Sequence, residues 1–283
     1  VGLIAGVAAV STASTLIRLA QIEASSLAIA AWRLTFASMI LAPFALTMRR
    51  DELRSLSRRE RVLAIVSGLL LAIHFGTWIS SLAFTSVAAS VVLVSTNPLF
   101  VGVVSFLFLN ERMSWRMVLG LAVAVAGSMV IGLGDLGQGT HRLLGDGLAL
   151  AGAISGAGYF LIGRQLRGRL SLLGYVFPVY AVSAVALMVV ALVSGVEMWG
   201  FAPLTWVWIL LMALGPQIVG HSSLNWSLRH LTATYVTLVV LVEPVGSALL
   251  AWLILGEVPP WAGVWGGALI LVGIGVASWE RSR

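Results

Sequence analysis

Four side chains able to carry charge sit inside otherwise apolar stretches: Arg33, His74, His221 and Glu243. Ionisable groups surrounded by hydrocarbon are unfavourable, and they mark functional sites by default. Glu243 stands about ten residues into its apolar segment, which at the helical rise is near the middle of a bilayer. A carboxylate there must be protonated, paired with a cation or open to a water-filled cavity. Its chemistry is therefore to bind a substrate amine, to carry a coupling proton, or to lock helices through a permanent arginine partner. Arg33 lies about 12 Å from the end of its segment at 1.5 Å per residue. Its planar fork suits a carboxylate or phosphate; the other reading is that it pairs with Glu243 or caps backbone carbonyls. Arg18 is near enough to a segment end to snorkel to the interface.

Softer groups surround these four. His74 and Trp78 are one helical turn apart and share a face. His221, Asn225 and Trp226 make a similar strip further along. Polar-aromatic strips suit amphipathic or aromatic solutes through stacking and cation–π contacts, and they serve equally for interhelical packing. Tyr159, Tyr180 and Tyr235 are further candidates. Ser11 and Ser14 are small enough for close helix approach. Asn97-Pro98 and Glu243-Pro244 are local breaks, because proline removes a backbone hydrogen bond. The four histidines, at 74, 141, 221 and 230, have no metal-ligand spacing. There is no HExxH, no Gly-x-Ser-x-Gly and no phosphate-cradling glycine loop. Cysteine is absent, which removes disulfides and thiol chemistry.

The elements that must position these residues are membrane helices. Hydrophobic residues make up 59% of the 283, charged residues 10%, and mean hydropathy is +1.02. Soluble domains carry about 25% charged residues. Polar breaks divide the chain into ten apolar segments near 1–20, 26–48, 62–82, 86–109, 114–134, 146–164, 171–194, 202–228, 232–255 and 260–279, several long enough to cross a bilayer. All 17 basic residues are arginines, and 14 of them fall in one set of alternate loops or the C-terminal tail. The positive-inside rule then places both termini in the cytoplasm. That placement also explains the net charge of +6 without nucleic acid. No cleavable signal pattern is recognised at Val1. Trp199, Trp206, Trp208, Trp261 and Trp279 fall near segment ends, as an interfacial belt would.

A duplication organises the whole. Pro98, Glu111, Trp115, Gly120 and Gly127 recur 146 residues later as Pro244, Glu257, Trp261, Gly266 and Gly273. Five segments per copy is an odd number, so the second copy enters from the opposite side. Glu111 and Glu257 then sit at opposite faces, where each is suited to organising a tight turn. Gly120/Gly127 and Gly266/Gly273 predict a close helix seam, within the bundle or between two copies of the chain.

The doubled pattern resembles a known family. Thr96-Asn97-Pro98-Leu99-Phe100 followed by Asn110-Glu111-Arg112 and Gly120, and Leu241-Val242-Glu243-Pro244 followed by Leu255-Gly256-Glu257 and Gly266, are similar to the EamA domain. Ala31-Trp32-Arg33-Leu34 resembles that family's arginine-bearing second helix. Two tandem copies resemble a ten-span member of the drug/metabolite transporter superfamily. The resemblance implies an all-α integral membrane protein, two inverted five-helix repeats around a central cavity, with repeats at 1–137 and 138–283. It implies secondary active transport, in the export direction, of small metabolites such as amino acids or related amphipathic solutes. A passive facilitator or exchanger is the alternative, and an intramembrane enzyme a more remote one. The expected substrate-binding residues are Glu243, Asn97, His74, Trp78, Arg33, His221, Asn225, Tyr159 and Ser14. No catalytic residue, metal or cofactor is expected. The expected partners are the solute, a proton coupled through Glu243 and membrane lipid, with the chain a monomer or homodimer in a bacterial inner membrane.

Overall fold

A computed structural model describes residues 2–85, 87–108, 114–133, 141–255 and 261–278. Asn110, Glu111, Arg112, Gly256, Glu257 and Trp279 lie outside the described residues. The chain is all-helical, with no strand among the described residues. In chain order the helices are α1 (Gly2–Val10 and Ala13–Ala20), α2 (Ser26–Met48), α3 (Arg58–Ser81), α4 (Val87–Val94 and Asn97–Phe108) and α5 (Trp115–Leu133). Then come α6 (Arg142–Arg167), α7 (Leu172–Val193), α8 (Pro203–Met212, Ala213–His221 and Ser222–Ser227), α9 (Ala233–Val240 and Glu243–Leu255) and α10 (Trp261–Ser278). Seven of them, α1–α3 and α6–α9, are long and apolar enough to cross a membrane; Asn97–Leu107, Trp115–Val130 and Trp261–Ala277 are shorter apolar helices.

Local chemistry sets the starts. Ser25 and Ser171 accept backbone N–H bonds from Ala28 and Gly174, each satisfying an orphan donor of a first turn. Ser57 and Glu60 form a reciprocal capping box at α3. Pro203 opens α8, where its missing N–H has no consequence. The outward faces are apolar: Ile65, Leu69 and Ile73 on α3, and Val185, Val189 and Leu192 on α7, are exposed at helical spacing. Such faces fit lipid, because a soluble surface rarely presents contiguous apolar area on this scale.

Packing follows a pseudo-two-fold rule. The first and second copies exchange partners: α3 packs on α6 as α8 packs on α1, while α2 meets α7 and α5 meets α10 as twin pairs. The α5–α10 seam gives the direction. A Cβ placed on Gly127 would lie 2.5 Å from the carbonyl oxygen of Gly266, and one on Gly273 would lie 2.5 Å from that of Gly120. Pairing 120 with 273 and 127 with 266 makes the twin helices antiparallel. Because Gly120 corresponds to Gly266 and Gly127 to Gly273, the two contacts are the same contact seen from either side. The glycine seam therefore lies inside one chain, between its own repeats.

Both ends of the bundle are tied by carboxylates on helix starts. At one end, Glu52 accepts from the backbone N–H and hydroxyl of Ser171, each at 2.6 Å. At the other, Glu23 accepts from Ala202 N–H at 2.9 Å and the Thr205 hydroxyl at 2.7 Å. The Thr205 bond, then the Ala202 bond, hold the exposed Glu23 carboxyl below its ordinary value. Beside it Trp32 donates to the carbonyl of Met198 at 2.9 Å and packs edge-on against Trp199 and Trp206.

Candidate functional site

Three helix breaks meet in one cavity. Val10 and Ala13, Val94 and Asn97, and Val240 and Glu243 flank the breaks of α1, α4 and α9, and all six line it. The cause is local in each case. Pro98 and Pro244 have no N–H, so the carbonyls four residues back, on Val94 and Val240, lose their helical donor. In α1 the hydroxyls of Ser11 and Thr12 bond back to Val7 O at 2.9 Å and Ala9 O at 2.7 Å, a pattern that bends helices. The cavity is narrow, with a volume of about 60 Å³, and it is partly open to the outside. Its remaining walls come from α2, α3, α6 and α8, so every helix except the α5–α10 seam and α7 contributes.

Arg33 is fully buried at its wall. Its Nε donates to Oε1 of Gln217 at 3.0 Å, and its guanidinium carbon lies 4.1 Å from the centroid of the Phe75 ring. Nη1 and Nη2 have no hydrogen-bond partner among the described residues. Gln217 sits in the π-helical part of α8, Ala213–His221, which contains Pro216. Wide turns of this kind are frequent at functional sites. Glu243 is half-buried on the same cavity. It is within electrostatic reach of Arg33, yet the two make no ion pair within 4.0 Å. Of the readings left open for Arg33, the direct pair with Glu243 is not formed among the described residues.

An aromatic wall joins them. His74 stacks on Trp78 at 6.0 Å between ring centroids and meets His221 edge-on at 6.4 Å. Nδ1 of His74 is bonded to the carbonyl of Gly152 at 2.8 Å, so that nitrogen carries the proton. Asn97 donates to the carbonyl of Ala153 at 3.0 Å, one residue further along α6. Both approaches pass Gly156, where a Cβ would lie 2.8 Å from Nδ2 of Asn97 and from Nδ1 of His74. Trp78 Nε1, His221 Nδ1 and Asn97 Oδ1 are buried without a hydrogen-bond partner among the described residues.

The structure thus brings Arg33, His74, Trp78, Asn97, His221 and Glu243 to one cavity. Tyr159, Asn225 and Ser14 are buried away from its lining. Asn225 Nδ2 donates to the Tyr159 hydroxyl and to the His221 carbonyl, which makes that pair a brace behind His221. Tyr180 braces the π segment through the Gln217 carbonyl and the Ser222 hydroxyl. Arg18 is exposed at the last turn of α1. Gln217, Phe75, Phe160 and Thr237 escaped the sequence reading. Gln217 alone carried a usable signal, as a polar residue following Gly215-Pro216 inside an apolar segment.

An all-helical bundle with an apolar exterior, antiparallel twin seams and broken helices around an interior cavity defines a membrane transporter built from two repeats. The chain belongs to the EamA-like transporter family, which matches residues 1–133 and 143–279. It is 28% identical over 254 residues to the pseudopaline exporter CntI of Pseudomonas aeruginosa, covering 88% of this chain and 86% of that protein. It is 25% identical over 251 residues to the uncharacterized transporter YdfC of Bacillus subtilis, covering 87% and 79%. A probable terminal-alkyne amino-acid exporter of Streptantibioticus cattleyicolor is 27% identical over 184 residues, 64% of this chain and 61% of that one. A solved crystal structure superposes with a TM-score of 0.82 at 18% identity, covering 100% of this chain and 96% of that one, which shows the shared fold.

Proposed function

We propose that this transporter is a secondary active exporter of small amphipathic metabolites, amino acids or their close relatives, working by alternating access. The observation that carries the reading is the meeting of three helix breaks with Arg33 and Glu243 in one cavity between the repeats. Irregular backbone at membrane depth is tolerated where it lines a cavity, and repeat interfaces are where such transporters bind solute. The names of the relatives, an exporter of pseudopaline and a probable exporter of an alkyne amino acid, favour the export direction and an amino-acid-like cargo. The two units, 1–137 and 138–283, would rock about the cavity. Both termini would face the cytoplasm of a bacterial inner membrane, and Glu243 would carry the coupled proton.

The test is reconstitution into proteoliposomes with radiolabelled amino acids and an imposed proton gradient. Accumulation against a gradient is expected. Equilibration without accumulation would make the protein a passive facilitator. Glu243→Gln is expected to abolish the pH dependence of transport; unchanged pH dependence removes Glu243 as the proton carrier.

A further inference from the structure

Resting on the transport reading above, we propose that the central cavity reads the two charges of a zwitterionic solute on separate groups. The solute's carboxylate docks on Nη1 and Nη2 of Arg33, and its ammonium on the carboxylate of Glu243.

Three observations converge. First, the guanidinium is positioned but not used up. Gln217 takes Nε and Phe75 backs the plane, while the two terminal nitrogens, fully buried, have no hydrogen-bond partner among the described residues. A buried donor without a partner is unfavourable, and this pair of parallel N–H groups matches a carboxylate bidentately. Second, Glu243 lines the same cavity without an ion pair to Arg33 within 4.0 Å. A solute bearing both charges completes both half-pairs at once. Third, the formal charges match. When both side chains are ionised, they offer one cation and one anion to a net-neutral zwitterion. A lone amine would leave Arg33 uncompensated, and a lone carboxylate would leave Glu243 uncompensated, each unfavourable inside a membrane. Trp78 and Phe160 complete the lining with apolar surface for the side chain.

The experiment uses purified full-length protein in nanodiscs. Equilibrium binding is measured for L-phenylalanine, phenethylamine, which keeps only the ammonium, and 3-phenylpropionate, which keeps only the carboxylate. The expected result is that L-phenylalanine binds at least about tenfold tighter than either analogue. In Arg33→Gln the advantage over phenethylamine is expected to vanish while that over 3-phenylpropionate persists. In Glu243→Gln the reverse is expected. Thermal unfolding identifies a variant that fails to fold; Arg33→Lys, which keeps the charge, then replaces Arg33→Gln and is expected to retain part of the advantage. Equal binding of all three probes, no binding of any at millimolar concentration, or an equal loss for all probes in each variant overturns the proposal. Charge-selective binding without counterflow in proteoliposomes would sink the transport reading and leave the assignment of the two charges standing. Transport of a labelled amino acid that ignores both substitutions would do the opposite.

Discussion

Gly156→Ala is the sharpest probe of how the cavity is held open. The added methyl would stand 2.8 Å from both Nδ2 of Asn97 and Nδ1 of His74. Ordinary contact begins near 3.4 Å, so each side chain must retreat by about 0.6 Å, a displacement large enough to break tight packing. Their bonds to Ala153 O and Gly152 O are now 3.0 and 2.8 Å, and a shift of that size takes them to the edge of hydrogen bonding. Two weakened bonds at about 0.5–1.5 kcal/mol each give a loss of about 1–3 kcal/mol. The gain in helix propensity, at most about 1 kcal/mol in water, is smaller here because a membrane helix stays helical when the bundle comes apart. The expected net effect is a destabilisation of about 1–2 kcal/mol. Gly147→Ala is the reference, since a Cβ there meets nothing within 4 Å on the same helix. Reversible unfolding in mixed micelles measures both. Gly156→Ala should also weaken solute binding, because Asn97 and His74 are cavity walls. Equal stability of the two alanine variants would refute the reasoning.

Gly127→Ala should destabilise the bundle by about 1–3 kcal/mol in the same unfolding assay, because its Cβ meets the backbone of Gly266 and Ile270 rather than a movable side-chain tip. Gln217→Leu leaves Nε of Arg33 buried and unpartnered, at a loss of about 1.5–3 kcal/mol for a hydrogen bond to a charged group. Its thermal unfolding midpoint should fall although the exchange is nearly isosteric and more apolar. The Glu23 latch should be pH-dependent in a set direction. Its carboxyl is held low in the folded protein by Thr205 and Ala202, so its contribution is present above the ordinary carboxylate range and lost as pH falls through its depressed value. Thermal melts of the wild type and Glu23→Gln should differ at pH 7 and converge in acid.

The legible part of this fold was the part written twice. Pro98 and Pro244 share a register, and each produced a break where its missing N–H predicts one. The seven-residue glycine spacing produced a seam at backbone contact. The third break, in α1, was less visible because no proline marks it; Ser11 and Thr12 do the work through hydroxyls that bond back to the preceding turn. The site was half legible for a physical reason. Residues that ionise in an apolar segment announce themselves, so Arg33, His74, His221 and Glu243 could be found one by one. What orients them could not. Gln217 is 184 positions from Arg33, and Phe75 looks like any other core aromatic. In sequence Asn225 and Tyr159 look like the lining residues, and the structure bonds them to one another behind the wall.

The symmetry of the scaffold and the asymmetry of its irregularities point to one side of the molecule. Twin interfaces ought to be alike. Where α3 meets α6, both helices are continuous, and Gly152 and Gly156 bring them close. At the twin interface, where α8 meets α1, α1 is broken at Ser11-Thr12 and α8 winds as a π-helix over Ala213–His221. Gly6 there faces the carbonyl of Gly220, and Gly220 faces Val10 beside the break. Glu243 belongs to α9, which packs on that same α1, and Ser247 of α9 donates to the freed carbonyl of Ser11 at 3.1 Å. The neutral twin of Glu243, Asn97, instead bonds to an intact turn of α6. A helix with unspent carbonyls can exchange hydrogen-bond partners at little net loss, whereas a regular one must break bonds to move. The regular wall and the irregular wall of the cavity are thus twin interfaces of one scaffold, and Glu243 stands on α9, beside the irregular one.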